Sequence, residues 1–440
     1  MNPSTVNVLQ MSIGFMFVLF SFDTQSFIEQ TVINTKHKQT GITKQAGYYS
    51  LALVYGFFTV GNFIAPPVVN RLKARWSMAL SALTFAIFHA CFFFLNEACL
   101  YLSSALLGLG SAIFWTAQGK YLAMNSTPET ATKHSSMFWG ISRGCVAMGG
   151  IFLFIVFRNA GRNDEITDKK IHILYAAFVV FTLVGVVLLA LLRMPSEKVD
   201  CVESKGMKRL PVVSTKEILS STYNLLKTKR MFFLIFAFMY TGIELSFWTG
   251  IYNTCISFTA QLGMNTKRLI AFNAMSEGLG QGLAGILFGV VFTKKFSRIQ
   301  IILLGSVVHL CAFALIYLNF PHEAPLGETN STASFHPSIY VALFCGFLLG
   351  FGDSCWNSQV FAFLVDQYNE QSTEAFALLK FFQSLLTCAA FFYGSAIELQ
   401  WHLLILIVSM MVGGFGFLMA ERLSVIEIEH PYCQKISTVA

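Results

Sequence analysis

Twelve runs of mainly apolar residues, each near 20 residues long, follow one another along this 440-residue chain. A helix of that length rises about 30 Å, the depth of bilayer hydrocarbon, where a backbone can satisfy its polar groups only as a helix or a closed barrel. The runs are too long for barrel strands, so they read as membrane-spanning helices and the bilayer is the chain's first partner. Composition agrees. Only 12% of residues are charged and 55% are hydrophobic, against about 25% charged in soluble domains. A single aqueous core stops growing at roughly 250–300 residues, so a water-soluble globule is excluded. With 45 Phe, 6 Trp and scattered Cys, the chain is also not disordered, collagen-like or disulfide-stapled.

The runs fall at 5–27, 46–69, 76–95, 98–122, 136–157 and 171–193, then at 231–255, 268–292, 299–319, 338–363, 375–397 and 401–420. The longest polar stretch separates six from six. It predicts an N-terminal bundle over 1–193, a cytosolic linker over 194–230, a C-terminal bundle over 231–420 and a cytosolic tail over 421–440. Inside the linker, Ser214-Thr215-Lys216-Glu217 has the form of a capping box, after which Ile218, Leu219, Thr222, Leu225 and Leu226 share one helix face. That helix lies either on the membrane surface or on the protein's own cytosolic face.

Of the 30 Lys and Arg, 19 flank the runs on the side of the linker and both termini, and 9 on the other. The positive-inside rule places both termini in the cytosol, at a plasma or endolysosomal membrane. The net charge of +7 is therefore a topology signal, and without a concentrated basic face it gives no ground for nucleic-acid binding. No small-residue cleavage site follows the first run, which reads as a retained span. Asn330-Ser331-Thr332 is a glycosylation sequon on the non-cytosolic side, whereas Asn125-Ser126-Thr127 has the same form on the cytosolic side.

An internal repeat is visible. Leu106-Leu107-Gly108-Leu109-Gly110-Ser111 resembles Leu348-Leu349-Gly350-Phe351-Gly352-Asp353, and with one gap Trp115 and Gln118 fall on Trp356 and Gln359. Asp23 aligns with Glu244. The halves thus read as parallel repeats about an axis along the membrane normal, an all-α polytopic fold of two pseudo-symmetric six-helix bundles.

Four stretches carry a family likeness: Ile113-Phe114-Trp115-Thr116-Ala117-Gln118-Gly119, Tyr240-Thr241-Gly242-Ile243-Glu244-Leu245, Gly352-Asp353-Ser354-Cys355-Trp356-Asn357-Ser358-Gln359 and Ala375-Phe376-Ala377-Leu378-Leu379-Lys380-Phe381-Phe382-Gln383-Ser384. Together they resemble the UNC-93-like branch of the major facilitator superfamily. The resemblance implies the two-bundle fold, a multi-pass membrane location and no enzymatic activity, without naming a cargo. Relatives are regarded as regulatory subunits of potassium channels or as chaperones of receptors. One departure is local: where most transporting facilitators place a latch aspartate after the second span, this chain reads Asn70-Arg71-Leu72-Lys73-Ala74-Arg75.

Ionisable residues inside spans are costly and mark sites by default. Glu244 and Glu277 sit near mid-depth of their runs and read as coupling groups for protons or a cation, or else as buried carboxyls bonded to Thr241 or Ser276. Asp353 and Lys380 lie nearer the cytosolic side, as an ion pair or with Lys380 snorkelling to headgroups. Arg143 has Gln118 or Asp23 in reach, and Asp23 itself looks interfacial. Gln118, Asn357 and Gln359 complete the polar set expected around a central cavity. Gly278, Gly282, Gly285 and Gly289, like Gly346 and Gly350, have the spacing that lets helices approach closely. His89 and His309 are solitary, and no metal cluster or nucleophile motif appears, so neither cofactor nor enzyme is expected. Two functions remain. One is alternating-access transport of an unidentified solute or ion; the other is a regulatory or chaperone role toward a channel or receptor.

Overall fold

The computed structural model describes residues 2–43, 46–157, 167–194, 215–263, 266–292, 295–394 and 396–429. Eleven helices are long and apolar enough to span a bilayer, and a shorter one, Tyr49–Gly61, completes twelve crossings. The first bundle comprises α1 (Pro3–Thr40), α2 (Ala46–Gly61), α3 (Ala65–Cys91), α4 (Glu97–Met124), α5 (Ala131–Phe157) and α6 (Asp168–Ala190). After the linker helix α7 (Thr215–Leu226) come α8 (Lys229–Ser246), α9 (Tyr252–Phe258), α10 (Thr266–Ile286), α11 (Arg298–Asn319), α12 (Ile339–Gln367), α13 (Ser372–Tyr393) and α14 (Leu399–Glu429).

Helix ends follow local chemistry. Asn2 accepts from the Ser4 amide with Pro3 in the first turn, and Ser297 with Gln300 forms a full capping box on α11. Three boundaries differ from the sequence expectation. Helix α1 continues to Thr40, where Gly41 ends it at φ 74°, because packing against α5 and α6 replaces hydropathy as its support. Helix α14 likewise runs to Glu429. The second crossing is broken at Gly61–Ile64 and resumes over 65–72, before the chain reverses at Lys73.

Lys73 has φ 63° and ψ 156°, a conformation that costs a non-glycine residue about 1–3 kcal/mol. Lys73→Gly is therefore expected to raise the unfolding free energy by about 1 kcal/mol, read as a higher melting temperature in detergent. Lys73→Ala should give no such gain.

The bundles meet along two seams, α5 with α10 and α2 with α13. Glycines set the first of them. A Cβ on Gly278 would lie 2.2 Å from the Ala147 nitrogen, and one on Gly285 would lie 2.2 Å from the Gly140 Cα. Gly346 and Gly350 instead bring α12 onto α10. Helix α7 packs Ile218 and Leu225 against α3 and α13, so it docks on the protein itself and touches both bundles. Ser214 and the rest of 195–214 lie outside the described residues.

Candidate functional site

Between the bundles is a cavity of about 530 Å³. It reaches the exposed Glu328 at the face that carries the Asn330 loop, and its walls there include Asn253, Thr254 and Ser257. Toward the linker face it is closed. Phe376 packs where Gly119 has no side chain, Phe361 meets Trp139 and Phe376 edge to face, and Asn369 donates to the Ala123 carbonyl at 3.0 Å.

Charged groups form the cavity floor. Arg143 Nη1 donates to Asp23 Oδ2 at 3.0 Å, and the guanidinium lies 5.0 Å from the Trp139 ring and 5.8 Å from both Trp115 and Trp248. Aromatic faces hold a cation where water is scarce. Trp248 reaches this position through a π-turn, Phe247–Ile251, whose loosened Trp248 and Thr249 carbonyls accept from Asn253 at 3.1 Å. Asp23 is thus a buried cavity residue rather than an interfacial one, because α1 continues well past it. Glu29 shares that cause: it too is buried and lines the cavity, with Gln25 donating to it at 2.9 Å. Its sequence signal was only the i, i+4 spacing of Gln25 and Glu29.

Lys380 does not snorkel and has no ion pair with Asp353. It is 3% exposed, its Nζ lies 4.1 Å from the Trp115 ring centre, and it donates to Gln383 Oε1 at 2.6 Å. A chain of amides connects it to Asp353 instead. Gln383 donates to Asn357 at 3.4 Å, and Asn357 donates to Asp353 Oδ1 at 2.8 Å. Gln281 donates to the other Asp353 oxygen at 3.0 Å. Asp23, Arg143, Asp353, Asn357, Lys380 and Gln383 all line the cavity.

Glu244, Glu277, Gln118 and Gln359 lie outside that lining. Glu244 is buried behind the floor, and its Oε1 has no hydrogen-bond partner. His309 approaches it from α11 at 3.7 Å. The His309 ring donates from Nε2 to the Leu349 carbonyl at 3.2 Å, which leaves Nδ1 to accept from the Tyr240 hydroxyl. Gly352 makes room for that ring, since a Cβ there would lie 2.2 Å from it. Glu277 is fully buried, and neither carboxyl oxygen has a hydrogen-bond partner. The hydroxyls considered for these carboxyls are engaged elsewhere: Thr241 donates to Phe238 O and Ser276 to Leu343 O. Gln118 and Gln359 sit one turn below the floor, where Gln359 donates across the seam to Ser136 at 3.5 Å. Among the described residues no cluster of three His, Cys, Asp or Glu is placed to hold a metal ion. Asn330 is exposed, and the adjoining Ser331 holds the Glu323 carboxyl below its usual range by hydrogen bonding.

Twelve crossings, a glycine-packed seam between the bundles and a central charged cavity define a membrane protein of the major facilitator type. Solved structures agree in fold. The transporter FucP in its outward conformation superposes with TM-score 0.64 at 13% identity, covering 95% of this chain and 99% of that one. The proton:xylose symporter XylE also gives 0.64, at 12% identity over 96% of each chain. Within that class the chain belongs to the UNC-93 family: the family model described as "Ion channel regulatory protein UNC-93" matches residues 38–418. It is 34% identical to UNC93-like protein MFSD11 of Xenopus tropicalis, over 94% of this chain and 96% of that protein. It is 23% identical to protein unc-93 homolog A of Homo sapiens, over 94% and 93%.

Proposed function

We propose that the protein is a secondary transporter that binds a small solute in the central cavity and carries it by rocking one bundle against the other. The observation that supports this most is a cavity open at one face and closed at the other, with charged side chains held at its floor. The Asn330 face is the outer one in this reading and both termini are cytosolic. Asp353 and Glu244 form the coupling pair: both are buried carboxyls, and only Asp353 touches the cavity. Glu277 is a second coupling carboxyl, set apart from solvent.

A proteoliposome flux screen tests this. Uptake driven by a pH gradient is expected in the native protein, and its dependence on the gradient should be lost in Glu244→Gln and in Asp353→Asn. Gradient-dependent uptake that persists in both variants would remove the assigned roles. Asn330 is the proposed glycan acceptor, so a glycosidase-sensitive gel shift is expected, and it should disappear in Asn330→Gln.

A second reading has its own support. The family model's description names ion-channel regulation, and the stretch Pro66 to Arg75 after the second span lacks the latch aspartate usual in transporting facilitators. A regulatory subunit would co-purify from native membranes with a channel or receptor in fixed stoichiometry, and its absence from such preparations would count against this reading.

A further inference from the structure

We infer that the cavity binds a monovalent organic anion, with an oxyanion seated on Lys380 and an apolar body against the aromatic walls. The inference rests on the reading of this cavity as a cargo site, and it names the cargo's chemistry. Lys380 carries three N–H donors. One goes to Gln383, and among the described residues no carboxylate lies within ion-pair distance of the ammonium.

No acid at the cavity floor bonds Lys380 directly. Asp23 is taken by Arg143, Asp353 by Gln281 and Asn357, and Glu29 accepts from Gln25 at the outer end. The Trp115 and Phe361 rings beneath Lys380 hold its positive charge at 4.1 and 5.2 Å but do not fill its remaining donors in the manner of an oxygen acceptor. An almost fully buried cation with open donors, facing an open cavity, lacks an anion in direct contact. A ligand carboxylate supplies it. Arg143, already compensated by Asp23, adds no second full charge, so a monoanion fits the site better than a dianionic phosphate. Above the floor, Phe58, Phe85, Tyr55 and Phe391 line the walls, and a volume of about 530 Å³ suits a drug-sized body.

Binding is measured on the full chain in lipid nanodiscs, with naphthoate and decanoate as probes. Their matched controls are the ammonium and alcohol of the same skeletons. The carboxylates are expected to bind at least about tenfold tighter than both controls, which is about 1.4 kcal/mol. Lys380→Gln should abolish that preference while the alcohol binds as before, and Lys380→Arg should keep it. Equal or tighter binding of the ammonium probes overturns the inference, as does a carboxylate preference that persists in Lys380→Gln, or no carboxylate binding at all. Because the first comparison needs only the native protein, misfolding of a variant does not obscure the result. Carboxylate binding without flux would defeat the transport reading and leave the anion site standing, whereas flux of a cation without carboxylate binding would do the reverse.

Discussion

Arg143→Met is expected to destabilise the protein by about 3–5 kcal/mol, the usual cost of leaving one member of a buried ion pair without its partner. Both members lie inside the protein and touch at 3.0 Å. Three Trp faces surround the guanidinium, so apart from the cavity itself little replaces what Asp23 would lose. Asp23→Leu should cost a similar amount. The double variant Asp23→Leu, Arg143→Met should recover most of the loss, because it removes both desolvation penalties together and leaves apolar groups of similar bulk. Melting in detergent with added lipid reads all three. A double variant no more stable than either single one would show that the two charges do not act as a pair.

The second large effect is a contrast along one glycine stripe. Gly285→Ala would place a methyl group 2.2 Å from the Gly140 Cα, against backbone that cannot turn aside. Overpacking of yielding side chains costs about 1–3 kcal/mol, and this contact should fall at the top of that range. Gly282, one turn earlier on the same face, has nothing nearer than the Gly140 carbonyl oxygen at 3.9 Å. Gly282→Ala is thus expected to be neutral or to stabilise by up to about 1 kcal/mol through helix propensity. Folded yield on size-exclusion chromatography and melting temperature would separate them. Equal behaviour of the two variants would mean that the seam does not depend on close approach at Gly285.

Hydropathy made the crossings legible, because lipid imposes one rule on every span. It failed where protein replaced lipid as the surrounding medium. The first apolar run ends at residue 27, yet packing within the bundle carries the helix on to Thr40. The same error of depth made Asp23 look interfacial. The stripe of Gly278, Gly282, Gly285 and Gly289 was readable from spacing alone, but only the coordinates distinguish the position that touches from the one that does not. Contacts between distant segments left no local trace. The Trp115 ring beneath Lys380 comes from α4, and the His309 ring behind Glu244 comes from α11. Helical spacing puts Gln383 beside Lys380 and Asn357 beside Asp353, but nothing local indicated that Gln383 would meet Asn357 across two helices.

The pairing of Asp23 with Arg143 has an electrical consequence. A compensated dipole experiences almost no net force from a membrane voltage, so in the proposed rocking cycle this pair would contribute almost nothing to voltage dependence. Lys380, in the other half, does not share that protection. Each elementary charge displaced across 100 mV exchanges about 2.3 kcal/mol with the field. In the proposed transport cycle, an anion bound at Lys380 would cancel that group's share of the exchange with the field.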